Sequence, residues 1–294
     1  MNISMFRDAR YSYLSYLQAG GIEPEIFKGP FRPRQAGDIR PRSSELGRCP
    51  LRVVHEIQGT EPTHPNQLLS NQPDLLHKFR SGHTCADEWR RTLAWYGGGV
   101  WRIENEVPCD DEQTTGTIDT LITLPSGIKY VVDYKRTNQL AVRSREGHLH
   151  NRTDFIQLAD YIRKMQDIQP GQKVFGALLR DYQSSFRVFW MEPQPFGVGI
   201  FEENGALLDT ITDKELSDSI ARSSSYLNGL ETEPPYEHPL QQWRCVGAKN
   251  GNTYQVGCPF FGNCWKISAA EINVVDGKIW NDEGECYYTG ESNG

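Results

Sequence analysis

Along this chain, apolar positions recur every three to four residues in some stretches and alternate with polar ones in others. From 7 to 18, Tyr11, Tyr13, Leu14 and Leu17 stand at helical spacing. The Pro-, Arg- and Gly-rich stretch "GPFRPRQAGDIRPR" (29–42) breaks that pattern and reads as a loop or arm. Ser43 and Ser44 then precede "ELGRCPLRVVHEI", a short helix containing Cys49. Pro73 suits the first turn of a further helix. A long helical pattern, "HTCADEWRRTLAWY" (83–96), is stopped by Gly97, Gly98 and Gly99. Strand patterns follow at 100–107, 115–124 and 128–135, then a helix at 153–167 and strands at 173–180 and 186–192. The remainder is acidic and Pro-rich, with one helix near 213–228 and a cysteine-bearing segment from 245. This order predicts an α/β core with additions at both ends. The expected division is a helical and basic arm over 1–79, a core over 80–195, and an acidic, cysteine-rich segment over 196–294.

The most informative turn lies between the second and third strands. Pro125-Ser126-Gly127 separates two β-rich runs in "GTIDTLITLPSGIKYVVDYK". If these three residues form the loop, Leu124 pairs with Ile128, Asp119 falls opposite Asp133, and Thr117 falls opposite Lys135. Side chains two apart share a face of a strand, so Asp119, Asp133 and Lys135 gather on one side of the hairpin. A slip of one residue would scatter them. Two facing carboxylates repel and require a proton or a cation. Oxygen ligands of this kind suit magnesium or manganese. A surface Asp–Lys pair beside an unrelated aspartate would account for the same residues.

Charge adds a second theme. The net charge is −7, which argues against a general nucleic-acid coat. Yet residues 28–52 carry Lys28, Arg32, Arg34, Arg40, Arg42, Arg48 and Arg52 against only Asp38 and Glu45. Residues 135–152 carry Lys135, Arg136, Arg143, Arg145 and Arg152 against Glu146. Such stretches are either solvated loop charge or the walls of a phosphate-binding groove. The N-terminus lacks the apolar region of a secretory signal, and no run approaches the ~18 apolar residues of a membrane span. A cytoplasmic protein is therefore expected. In that compartment seven cysteines point to a metal or cluster, or to buried thiols, rather than to disulfides.

Six short motifs in order sharpen the picture: His83 in "SGHTCADEW", Glu106 in "ENEVP", Gly116 and Asp119 in "GTID", Asp133 and Lys135 in "DYK", and Gln157 and Tyr161 in "QLADY". This series resembles the PD-(D/E)XK nuclease superfamily, specifically its RecB-like exonuclease branch. Asp133 stands where many members carry glutamate. The resemblance implies a restriction-endonuclease-like core, a central mixed sheet flanked by helices. It implies His83, Asp119, Asp133 and the Tyr134 carbonyl as metal ligands. Lys135 would then be the catalytic lysine, Glu106 a supporting acid, and Gln157 and Tyr161 groove-lining groups. On a helical wheel, Leu158, Ala159, Ile162 and Met165 fall beside Phe155, whereas Gln157, Tyr161 and Lys164 form a separate stripe.

Cys49 lies upstream of this block, and Cys245, Cys258 and Cys264 lie downstream. That layout resembles iron–sulfur nucleases such as AddB and the four-cysteine CRISPR-associated exonucleases, in which a [4Fe–4S] cluster joins the two chain ends. The spacing between Cys245 and Cys258 departs from the usual short one, which makes Cys286 a substitute ligand. Zinc is the alternative occupant. Cys85 and Cys109 read as ordinary buried residues, and Trp89 and Trp95 as core.

The function implied is a magnesium- or manganese-dependent deoxyribonuclease acting on single-stranded DNA ends, with 5′-to-3′ polarity by resemblance. A structure-selective endonuclease and a non-catalytic nucleic-acid-binding iron–sulfur module remain alternatives. No G-x-x-x-x-G-K-[ST] signature is present, so unwinding would fall to a helicase or recombination partner.

Overall fold

The computed structural model describes residues 4–28, 32–35, 37–67, 73–136, 152–182, 185–235, 245–250, 253–266, 271–275, 278–280 and 286–288. Its helices are α1 (Ser4–Gln18), α2 (Pro50–Gln58), α3 (Pro73–Gly97), α4 (Arg152–Ile168), α5 (Asp213–Leu227) and α6 (Phe261–Trp265). The strands run from β1 (Arg102–Pro108), β2 (Thr117–Thr123), β3 (Lys129–Arg136) and β4 (Val174–Asp181) to β5 (Phe186–Gln194), β6 (Gly197–Phe201) and β7 (Leu207–Thr212). They continue with β8 (Val246–Asn250), β9 (Thr253–Val256), β10 (Glu271–Val275), β11 (Lys278–Trp280) and β12 (Cys286–Tyr288). None of the described helices is long and apolar enough to cross a membrane.

Two compact units emerge. The first comprises Met1–Arg48 and Phe79–Leu227, and the second Cys49–Lys78 and Asn228–Gly294. The expected boundaries at 79/80 and 195/196 are therefore displaced. The arm belongs with the core, and the core extends to α5. The reason is the pair β6 and β7, strands that the acidic, Pro-rich composition of the remainder does not announce. They add two more antiparallel strands to the sheet, and α5 packs back on it through Leu216 and Ile220.

The first unit is an α/β arrangement around a seven-stranded mixed sheet in sequential order β1 to β7. Neighbours are antiparallel except β3 and β4, which run parallel. A parallel pair needs a long crossover, and α4 lies between them in the chain. The inner strands β3 and β4 are buried on both faces through the apolar runs Tyr130–Val132 and Val174–Leu179, with charged residues at their C-terminal ends. On one face α4 and α5 place Phe155, Leu158, Ile162 and Leu216 against Val131, Leu178 and Ile200. On the other, α1 and α3 place Phe6, Trp89 and Leu93 against Tyr130, Val132 and Trp190. Each such large apolar side chain contributes about 1.5–3 kcal/mol by leaving water.

In the second unit, five antiparallel strands run in the order β12-β11-β10-β9-β8. The helix expected after Ser43 is delayed. Only a 3-10 turn forms at Ser43–Glu45, and α2 begins at Pro50 with Cys49 as its N-cap. Proline lacks an amide hydrogen and clashes with a preceding turn, so it starts a helix rather than continuing one. The segment after α2 is laced to α6 and the residues before it: the His64 N–H donates to the Pro259 carbonyl (2.9 Å), and the Gly262 N–H to Thr63 Oγ (2.9 Å).

Candidate active site

The β2–β3 hairpin has the register expected from its turn. Thr120 pairs with Val132, Leu121 with Val131, Ile122 with Tyr130 and Thr123 with Lys129. The loop closes with the Leu124 N–H on the Ile128 carbonyl (2.9 Å), and Gly127 takes the left-handed φ of 81° that a side chain would resist. One step further the ladder gives way to a side chain: the Tyr134 N–H donates to Asp119 Oδ2 (3.1 Å). Asp119 is thereby held on the hairpin opposite Asp133.

Asp133 is 1% exposed. The Lys135 ammonium lies 2.8 Å from its Oδ2 and 3.0 Å from its Oδ1, astride the carboxylate. Gln157 Nε2 also donates to Oδ1 (3.2 Å). Oδ2 is fully buried, with the Lys135 ammonium as its neighbour. Burial pushes the Asp133 carboxyl up to about 7; Lys135 opposes the shift and nearby Asp119 and Asp154 add to it. Lys135 is moved upwards too: burial pulls it down, but the field of Asp133, Asp154 and Asp119 outweighs that pull. A buried carboxylate close to a second aspartate requires a cation, and here the Lys135 ammonium supplies one positive charge against two acids. Asp119 and Asp133 are oxygen donors of the type magnesium or manganese takes, although among the described residues no three His, Cys, Asp or Glu side chains stand assembled as a metal-holding group.

Helix α4 completes this face. Gln157 and Tyr161 are buried rather than solvated, and Lys164 on the same stripe is 0% exposed. Gln157 touches Asp133 and accepts from Lys135 (3.4 Å). The Tyr161 hydroxyl donates to the Thr117 carbonyl (2.9 Å) and accepts from the Thr117 N–H (3.3 Å). Tyr161 thus anchors the start of β2, two residues before Asp119. The close fit explains Gly116: a Cβ there would stand 2.6 Å from the Tyr161 ring and 2.7 Å from Ser43 Oγ.

Glu106 lines the same cavity. It interrupts β1 in a left-handed conformation, φ 55°, between the pairs Asn105–Thr120 and Val107–Ile118. Its carboxylate pairs with Arg90, which also reaches the Asp119 carbonyl (3.3 Å) and lies over the Tyr134 ring. Burial raises the Glu106 carboxyl, with Arg90 opposing the shift. Arg90 is 4% exposed and carries no motif that would mark it in the sequence.

His83 is not brought to this site. It is exposed on α3 and does not line the cavity. Arg90, seven residues further along α3, lies on the same stripe as His83 and does reach Glu106 and the Asp119 carbonyl. Arg152, counted among the basic candidates, is committed to Asp209 and Glu215. Arg136 is exposed, and Arg143 and Arg145 lie outside the described residues.

The arm forms the other wall. The cavity, about 440 Å³, is bounded on one side by Arg32, Arg34, Arg40 and Arg42 and on the other by Glu106, Asp119, Lys135, Gln157 and Tyr161. Backbone bonds stitch the arm to the loop before β2: Ser43 N–H to the Thr115 carbonyl (2.8 Å) and Thr115 N–H to the Pro41 carbonyl (3.0 Å). Beneath them lies a buried polar network absent from the sequence reading. Asp160 Oδ2 accepts from Ser43 (2.7 Å) and Thr114 (2.9 Å) and pairs with Lys164 (2.9 Å). Lys164 also donates to Ser43 Oγ (3.0 Å) and to the Cys109 carbonyl (3.1 Å).

Within the second unit Cys49, Cys245 and Cys258 are buried and Cys264 is half-buried. Burial raises the thiols of Cys245, Cys258 and Cys264, and Cys49 raises each of them further. The Cys258 N–H donates to the Cys245 carbonyl (3.3 Å), which brings these two residues together. Among the described residues, however, no three His, Cys, Asp or Glu side chains stand assembled as a metal-holding group. Cys286 falls in β12, its side chain outside the described set. Cys85 and Cys109 are single buried thiols, as expected, each pushed up to about 12 by burial.

Neither a family model nor a curated protein matches this chain. Among solved structures, one titled "Crystal structure of SSO0001" aligns over 82% of this chain and 89% of that chain, at 15% identity and a TM-score of 0.41. A likeness at that level carries no argument about function.

Proposed function

We propose that this protein is a metal-dependent DNA nuclease with a PD-(D/E)XK-type core, acting on single-stranded ends. The observation that supports it best is the buried Asp133 carboxylate held by Lys135, with Asp119 facing it across the hairpin in a cavity walled by arginines. Magnesium or manganese bound by Asp119 and Asp133 would activate water and neutralise charge on a scissile phosphate. Lys135, steadied by Asp133 and Gln157, would orient the attacking water and offset charge on the phosphoryl oxygens. In the hydrolysis the water oxygen bonds to phosphorus, one bridging P–O bond breaks, and the departing oxygen takes a proton. Tyr161 and Gly116 set the position of Asp119, and Arg90 holds Glu106 beside it. The 5′-to-3′ polarity belongs to this reading by resemblance only.

The four thiols of the second unit would hold a [4Fe–4S] cluster or a zinc ion. Their sulfurs would need to close in on loading, and the bound group would then supply folding free energy directly.

The test is manganese-dependent digestion of 5′- and 3′-labelled single and double strands by the parent protein, Asp133→Ala and Lys135→Ala. Cleavage by the parent and at least a 100-fold loss in both variants, with intact folds, is expected. Persistent cleavage in either purified variant would falsify the assignment.

A further inference from the structure

Four guanidiniums line the cavity, and three of them are already used. Arg32 pairs with Asp110 (3.0 Å), Arg34 with Glu45 (2.5 Å) and Arg40 with both oxygens of Asp38. Arg34 also donates to the carbonyls of Asp38 (2.9 Å) and Arg40 (2.7 Å), and Arg40 to that of Asp111 (2.7 Å). These three shape the arm itself. Arg42 differs. Among the described residues its guanidinium has no carboxylate partner, and its one hydrogen bond is a long one to the Arg32 carbonyl (3.3 Å). Its backbone is nevertheless well fixed. The Arg42 N–H donates to Glu45 (2.8 Å), and the residue bridges to Thr115 beside the buried Ser43–Asp160–Lys164 network.

A rigidly mounted, half-buried arginine with most of its five donors open, facing a cavity, is a receptor for an oxyanion. The cavity volume lies in the ~300–1,000 Å³ range of small-ligand sites. That is room for a nucleotide of a single strand, not for a duplex. Glu106 and Asp119 across the cavity exclude a second carboxylate-like ligand unless cations neutralise them, and a phosphate arriving with its metal satisfies that condition. We propose that Arg42 is the specificity-determining phosphate anchor of this site, gripping one phosphate of the bound single strand while the other arm arginines serve only to build the wall. This rests on the nuclease reading. The phosphate is either a terminal monoester or a diester next to the scissile bond, and both present the same oxyanion to the guanidinium.

The experiment uses the full chain. Binding of labelled single-stranded oligonucleotides with unmodified, 5′-phosphorylated or 3′-phosphorylated ends is measured by fluorescence anisotropy across a salt series, with calcium in place of magnesium. Arg42→Ala is expected to weaken binding about tenfold and to reduce the salt slope by roughly 0.7, the value for one phosphate contact on a single strand. In cleavage the loss falls on KM more than on kcat. Arg42→Lys keeps the charge, so it should retain the salt slope and recover only part of the affinity. An equal loss for all three oligonucleotides assigns an internal diester; loss of a preference for one phosphorylated end assigns the monoester. Unchanged affinity and slope in a folded Arg42→Ala protein overturn the assignment while leaving the nuclease reading intact. If the parent protein neither binds nor cleaves any of these strands, both fall.

Discussion

Replacing Lys164 by methionine is the sharpest probe of how the arm is held over the site. Lys164 is 0% exposed, and its three N–H donors meet three acceptors: Asp160 Oδ2 at 2.9 Å, Ser43 Oγ at 3.0 Å and the Cys109 carbonyl at 3.1 Å. At an effective dielectric of ~20, a pair 2.9 Å apart attracts by about 6 kcal/mol. Desolvating the two ions costs several kcal/mol each, so the intact pair is worth little net stability. Removing one partner is different, because Asp160 stays buried and charged. Breaking a buried pair costs about 3–5 kcal/mol. Arg163 still reaches Asp160 Oδ1 at 2.9 Å, which favours the lower end, about 3 kcal/mol. The double variant Lys164→Met/Asp160→Asn removes both charges and keeps an acceptor for Ser43 and Thr114. It should recover to within about 1 kcal/mol of the parent. Urea unfolding followed by several spectroscopic signals separates the first unit from the second; in thermal scans the single change corresponds to a drop of about 6–12 °C. The arm should also become sensitive to protease. A single variant as stable as the parent, or a double variant worse than the single, would refute the reasoning.

Three further outcomes follow from the geometry. With metal chelated, the Asp133 carboxyl is raised from its ordinary 3.8 to about 7, so the fold favours its protonated form; stability is full below pH 4, falls as pH rises to 7, and the loss is at most about 4 kcal/mol. Asp133→Asn should flatten that slope in pH-dependent melts, and a slope of the opposite sign would contradict the burial argument. Gly116→Ala forces a methyl into the Tyr161 ring and should cost roughly 1–3 kcal/mol, with a fall in kcat as Asp119 shifts; full activity would show that the wall yields. His83→Ala should leave cleavage within about twofold of the parent, since His83 is exposed and outside the cavity; a 100-fold loss would restore it as a ligand.

The local parts of this molecule were legible in its sequence. The hairpin is the clearest case: a Pro-Ser-Gly turn and period-two alternation depend only on near neighbours, and together they place Asp119, Asp133 and Lys135 on one face. The crossover helix with its Gln157–Tyr161 stripe was equally readable, because helical periodicity is local too. Other features came only with the tertiary structure. β6 and β7 are too short to declare themselves before the sheet exists to receive them. His83 lay in the right order for a ligand, yet it is exposed on α3 and does not line the cavity. The arginines of the arm were visible as charge, but which of them are spent depends on acids such as Asp110 and Glu45 that only folding brings alongside. The pairing of Ser43 with Asp160, 117 residues apart, follows from no periodicity. Turns and amphipathic faces are decided over a few residues of chain, whereas the partner of a buried charge is decided by topology.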